Sequence, residues 1–181
     1  TTASVAEAVE KSTDTADGIR YVFTPESQVN FVGSKVTGKH SGGFKTFTGH
    51  FTVKDGAPVG NDHQVTIDMN STWSDDEKLT THLKSADFFD VEKFPESVFS
   101  VTAVTKESDS SYTIAGNFTL HGVTKNISFP ATVSQDGDTV KIDAKFDINR
   151  KDFEIVFAGM PDDLIRDEVV IELKLEAKPE A

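Results

Sequence analysis

Leu79–Ser100 reads LTTHLKSADFFDVEKFPESVFS. Leu79 and Leu83 share one face of a helix, and Asp75-Asp76-Glu77 stand just ahead of them, where acidic side chains suit the positive end of the helix dipole. That spacing gives way to an acidic Phe-Phe pair, Asp87-Phe88-Phe89-Asp90. Phe94-Pro95 closes the segment, and a strand pattern starts at Val98. On either side, apolar and polar residues alternate at period two, as half-buried strands do. A short, Phe-loaded helix and loop (Asp76 to Phe94) set into an otherwise all-β chain needs something apolar to cover. One end of a barrel supplies it, and an apolar barrel under a Phe-lined cap is a container for an apolar molecule.

Upstream of the insert, Val29, Phe31 and Gly33 share one strand face opposite Gln28 and Asn30. Phe47, Gly49, Phe51 and Val53 repeat the pattern, and Val65, Ile67 and Met69 carry it towards Trp73. Downstream, Val98 to Val104 is apolar on both faces, which predicts a strand covered on both sides. Tyr112, Ile114, Gly116, Phe118 and Leu120 alternate with polar neighbours, and the chain returns through Ile127 and Phe129. Val140, Ile142, Ala144, Phe146 and Ile148 form the plainest strand, and Val169, Ile171, Leu173 and Leu175 the last. Asp55-Gly56, His121-Gly122 and Asp136-Gly137-Asp138 supply hairpin turn chemistry between these runs. About eight strands, each with one apolar face, describe an up-and-down barrel or a two-sheet sandwich. Closure removes exposed edges, and Gly33, Gly49 and Gly116 on apolar faces permit the bending it demands. The favoured expectation is an eight-stranded antiparallel barrel, its helix-loop insert capping one end.

The 181 residues suit one domain. With 14 Phe against 2 Tyr and 1 Trp, the aromatic content lacks polar handles and suits buried or lipid-contacting surface. A formal net charge of −12 repels phosphate backbones and anionic headgroups, which excludes nucleic acid as an expected partner. The absence of Cys removes disulfides and thiolate chemistry. Residues 1–18 are small, hydroxylated and acidic, and are expected to form a flexible polar tail ahead of a barrel domain over 19–181. With no methionine start and no signal peptide, the chain reads as a processed or trimmed form.

Candidate lining residues for an apolar interior are Phe31, Phe47, Phe51, Ile67, Met69 and Trp73 ahead of the insert, with Leu83, Phe88 and Phe89 within it. Phe99, Phe118, Phe129, Phe146 and Phe153 complete the set. Phe on a strand face serves equally as a dry core, so tunnel lining and self-filling core both stand. His82 and Arg150 are the candidate headgroup contacts, one able to donate or accept, the other a permanent planar donor fork. For His82 the plain alternative is a hydrogen bond to a nearby loop. For Arg150 it is an ion pair with Asp152, Asp162 or Asp163, and His121 is expected to serve its turn. Gly33-Ser34-Lys35-Val36-Thr37-Gly38-Lys39 has phosphate-loop spacing, but His40 replaces the magnesium-holding hydroxyl and no helix follows. No catalytic residue, metal site or cofactor is expected.

The chain resembles the YceI-like, polyisoprenoid-binding family, whose fold is an extended lipocalin-like barrel. The resemblance rests on His82-Leu83-Lys84-Ser85 with Asp87-Phe88-Phe89-Asp90-Val91, on Phe94-Pro95 and Phe99-Ser100, on Leu120-His121-Gly122-Val123-Thr124-Lys125, and on Ile148-Asn149-Arg150-Lys151-Asp152-Phe153. It implies a periplasmic or exported, non-catalytic protein that holds an isoprenoid quinone, polyprenyl or fatty-acid derivative inside the barrel. A lipid anchor through a missing N-terminal segment and a homodimer are compatible with it. Where the family usually has Gly after the Arg-x-Asp-Phe motif this chain has Glu154, a negative charge expected near the mouth. Two other readings stay open: an enzyme acting on a lipid headgroup with His82 as acid-base group, and a partner-binding module with a filled core.

Overall fold

Period-two alternation and tight turns build successive hairpins, which a computed structural model describes for residues 1–160 and 163–180. The first strands are β1 (Ser4–Glu7), β2 (Ile19–Phe23), β3 (Gln28–Lys35), β4 (Gly38–Phe44), β5 (Phe47–Lys54) and β6 (Ala57–Pro58). Next come β7 (Gln64–Asp68), a 3-10 turn (Met69–Ser71), β8 (Thr72–Ser74) and helix α1 (Glu77–Lys84). After the helix follow β9 (Glu96–Lys106), β10 (Ser111–Leu120), β11 (Val123–Asp136) and β12 (Thr139–Asn149). A second 3-10 turn (Arg150–Phe153), the short pair β13 (Gly159–Met160) and β14 (Asp163–Leu164), and β15 (Glu168–Pro179) complete the chain.

Hydrogen bonding runs β2-β5-β7-β9-β10-β11-β12-β15 and returns to β2, where Ala177, Lys178 and Pro179 face Phe23, Val22 and Tyr21. The eight-stranded antiparallel barrel is therefore closed, as expected. Its ring uses β2, however, where the alternation had pointed to β3. The long strand β15 pairs with β2 at one end and with β3 over Val170–Lys174, so the wall splits there. Strands β3, β4 and β8 continue from that split as a flap on which α1 rests.

Residues 1–18 correct the expectation of a flexible tail, and Val5 lies on a strand. Ser4–Glu7 adds to the edge of β11, facing Lys125–Ser128. Ala3 is buried, and its N–H donates to the Asp147 carbonyl at 2.9 Å. Further along, Val9 exchanges hydrogen bonds with the Asn117 side chain, and Lys11 donates to the Ser100 hydroxyl at 3.0 Å. Asn61 then holds the backbone of Ser12 and Asp14. This strap lies against the outer face of β9, which the sequence had read as covered on both sides; Val98 and Ser100 there are half-buried.

The inward face changes character along the barrel axis. Towards one end Val140, Ile142, Tyr112, Ile114, Leu175 and Ala177 are all buried and fill the interior. The next layer is aromatic: Phe129 stacks on Phe146 with centroids 4.1 Å apart, and Phe99 tilts against Phe129 at 5.6 Å. Beyond that layer the interior opens.

Candidate functional site

Helix α1 forms because Asp76 caps it. The carboxylate accepts from the N–H groups of Lys78 (2.9 Å) and Leu79 (3.4 Å), satisfying two of the donors left free at a helix start. Ser85 ends it, its hydroxyl donating to the His82 carbonyl. The chain then folds back, with the Phe89 N–H donating to the Leu83 carbonyl at 2.9 Å. That turn splits the Phe-Phe pair. Phe89 packs against Phe31 and Phe44 of the flap, at 6.0 and 5.8 Å. Phe88 goes the other way, to His82 (4.8 Å) and Phe157 (5.4 Å).

Under this cap lies a cavity of about 450 Å³. Its wall holds Phe31, Ile67, Met69, Leu83, Phe88, Phe89 and Phe118 from the expected set, together with His82 and Arg150. The sequence reading missed Phe44, Leu79, Leu120, Ile148, Ile155 and Phe157, and likewise Ile165, Val169 and Ile171. Leu120, Ile148, Val169 and Ile171 carried the alternation signal without being Phe. Phe44 and Phe157 sit in Gly-rich or irregular stretches with no period to read.

Seven expected lining residues lie elsewhere. Phe99, Phe129 and Phe146 form the aromatic layer beneath the cavity. Fully buried Phe153 packs behind Phe118 at 5.3 Å. Phe51 sits in the filled end against Phe23 and His63. Phe47 meets Phe23 at 6.0 Å beside a separate groove that also involves Arg20, Lys45 and His50. Trp73, on β8, lays its indole nitrogen over Gly43. Phe47, Phe51, Phe99, Phe129 and Phe146 follow the strand period, but depth along the barrel decides between packing and lining.

Polar groups gather where the cavity opens: Ser34, Lys35, His40, Asp76, Lys78 and His82. His40 Nδ1 lies 2.8 Å from Asp75 Oδ1, while Asp75 Oδ2 accepts from the Ser41 N–H at 2.9 Å. The Ser41 N–H and the His40 ring hold the Asp75 carboxyl below the usual range. His82 Nε2 stands 2.8 Å from Asp87 Oδ2, with its ring between Phe88 and Phe157. His82 bonds to a loop carboxylate and also lines the cavity.

Arg150 is buried and occupied. Its Nε donates to the Arg166 carbonyl (3.0 Å), one terminal nitrogen to Ile155 (2.8 Å) and the other to Ile165 (3.4 Å). Burial pushes its pKa down and Asp167, at 3.9 Å, opposes that. The guanidinium stays charged in any case, and its work is to clasp the two legs of the loop that walls the cavity. Its acidic neighbour is Asp167 rather than Asp152; Asp162 and the side chain of Asp163 lie outside the described residues. His121 serves its turn, with φ of 56° and Nδ1 at 3.1 Å from the Phe153 carbonyl. Glu154 is exposed, away from the cavity wall, at φ 59° where it ends the second 3-10 turn. The left-handed conformation explains the family's Gly there, and the expected negative charge at the mouth is not where the side chain goes. Among the described residues no cluster of His, Cys, Asp or Glu is suited to a metal ion.

The family model of the YceI-like domain matches residues 21–177. The chain belongs to the YceI-like family. It is 35% identical over 156 residues to Protein YceI of Salmonella arizonae, covering 80% of each chain. A UPF0312 protein of Pseudomonas putida is 36% identical over 124 residues; the match spans 65% of each chain, so just under two thirds of that relative's length. Among solved structures, Burkholderia cenocepacia BcnA superposes with a TM-score of 0.75 at 25% identity, over 92% of this YceI-like chain and 100% of its own. A domain described as polyisoprenoid binding, from Saccharophagus degradans, gives a TM-score of 0.71 at 16% identity, over 91% and 100% of the two chains. At that identity the second likeness speaks for the fold.

Proposed function

We propose that this YceI-like protein is a non-catalytic carrier or store for a long-chain apolar lipid such as an isoprenoid quinone, a polyprenyl or a fatty-acid derivative. The observation that carries the reading is the open half of the barrel, a cavity of about 450 Å³ walled mainly by Phe, Leu, Ile and Val, where the buried polar lining residues Ser97 and Arg150 are already hydrogen-bonded within the protein. That size falls within the ~300–1,000 Å³ of small-molecule sites. The tail occupies the apolar wall and the headgroup stays near His40 and His82. The Arg150 donors are taken by backbone carbonyls, so this side chain shapes the loop instead of gripping the ligand. Kinship with YceI proteins supports an exported, periplasmic location, and the structural likeness to a polyisoprenoid binding domain supports the ligand class.

Burial of each methylene is worth about 0.8 kcal/mol. Affinity for a homologous series of fatty or prenyl alcohols therefore rises with tail length, about fourfold per methylene, until the cavity is full. Calorimetric or fluorescence-displacement titration of such a series tests this. A flat length dependence, or no binding at any length, contradicts the reading.

A further inference from the structure

Five large hydrophobic side chains are exposed among the described residues: Val9, Ile19, Val36, Val156 and Leu164. Three of them stand around the cavity mouth. Val36, 71% exposed, is the tip of the β3–β4 hairpin, immediately after the lining residues Gly33, Ser34 and Lys35. Leu164, 49% exposed, is its backbone neighbour: the Val36 N–H donates to the Leu164 carbonyl at 3.1 Å. The next residue along, Ile165, bridges to Lys35, and the Arg166 N–H donates to Ser34, so hairpin and loop are stitched into one rim. Val156, 60% exposed, lies between Ile155 and Phe157, which both face the cavity. Val156 itself is exposed and does not line the cavity.

Charge at this rim differs from that of the molecule. The chain as a whole carries −12, but the mouth combines Lys35, Lys78 and exposed Lys39 with Asp75, Asp76 and Glu77. A surface of mixed sign with protruding aliphatic side chains complements a layer of zwitterionic headgroups over acyl chains. The overall negative charge disfavours an anionic leaflet.

We propose that the Val36–Val156–Leu164 rim docks on a zwitterionic lipid bilayer, so that the ligand passes between membrane and cavity without crossing bulk water. The proposal rests on the carrier reading above and adds the surface through which cargo moves. A long tail exposed to water on the way would lose the hydrophobic gain that the cavity offers. Contact between mouth and bilayer removes that barrier.

The test compares the protein with a Val36→Asp/Leu164→Asp double variant; both positions are exposed, so the fold is retained. Acquisition of a prenyl quinone is timed from phosphatidylcholine vesicles at increasing vesicle concentration, and binding of the same quinone delivered from ethanol is measured alongside. The expected result is a rate for the unaltered protein that climbs with vesicle concentration. The double variant is expected to be at least tenfold slower from vesicles and unchanged from ethanol. Equal rates for the two proteins, or a rate independent of vesicle concentration, overturn docking while ethanol-delivered binding keeps the carrier reading intact. Failure of the unaltered protein to bind from ethanol overturns the carrier reading and docking with it. Should the double variant change only the sedimentation behaviour, from dimer to monomer, the rim is a contact between copies and the bilayer proposal falls.

Discussion

His63 illustrates how much a single buried side chain settles. It is 2% exposed, its Nδ1 accepts from the Thr52 N–H at 3.2 Å, and its Nε2 donates to the Gly60 carbonyl at 3.2 Å. Both ring nitrogens are satisfied only in the neutral form, and burial lowers the pKa from 6.5 to about 4, with Gly60 and Asp62 opposing and Lys11 and His50 reinforcing the shift. The folded state therefore refuses a proton that the unfolded chain accepts. Stability from this group is complete above pH 6.5 and is lost as pH falls towards about 4, by about 3 kcal/mol. Thermal melts across that window should show His63→Gln, which keeps a donor and an acceptor, with a flatter profile than the unaltered protein; parallel profiles would refute the assignment. Glu154 offers a second case. Its φ of 59° strains a residue with a Cβ, so Glu154→Gly should stabilise the fold by about 1 kcal/mol, read as a melting temperature a few degrees higher. A lower melting temperature would mean that the Glu side chain contributes more than its backbone costs.

Among the elements, α1 decides access. It carries Leu79, His82 and Leu83 over the cavity, and its first turn depends on Asp76. Asp76→Ala removes that cap at a cost of about 1 kcal/mol, and bound lipid should dissociate about fivefold faster as the lid frays. Stopped-flow displacement checks this, and an unchanged off-rate would show that the ligand leaves by another path. This helix was legible in the sequence because Leu79 and Leu83 broke a surrounding period of two. Strand β4 was not legible. Its sequence, GKHSGGF, lacks alternation, since Gly42 and Gly43 are what allow Phe31, Asn30 and the Trp73 backbone to approach. Strand β1 was hidden for a different reason: it joins an existing edge through backbone hydrogen bonds, which need no apolar pattern.

At the scale of the whole molecule, the barrel is two rooms on one axis. Strand periodicity correctly assigned the inward face of β10 and β12, and with it the all-β architecture. It could not assign depth, because Phe146 and Ile148 share a face two residues apart while one packs in the floor and the other lines the cavity. Gly33 marks the room left open: it lines the cavity, and a Cβ placed there would meet nothing within 4 Å. Gly33→Phe therefore adds a ring to empty space without disturbing the sheet, closing the site while leaving the fold. The most direct measurement is solvent extraction and mass spectrometry of natively purified protein beside this variant, with lipid counted per chain. The account predicts a long-chain apolar molecule at close to one per protein in the unaltered chain and at least tenfold less in Gly33→Phe at equal thermal stability. Equal lipid in both, or none in either after quinones and fatty derivatives have been supplied, would contradict it.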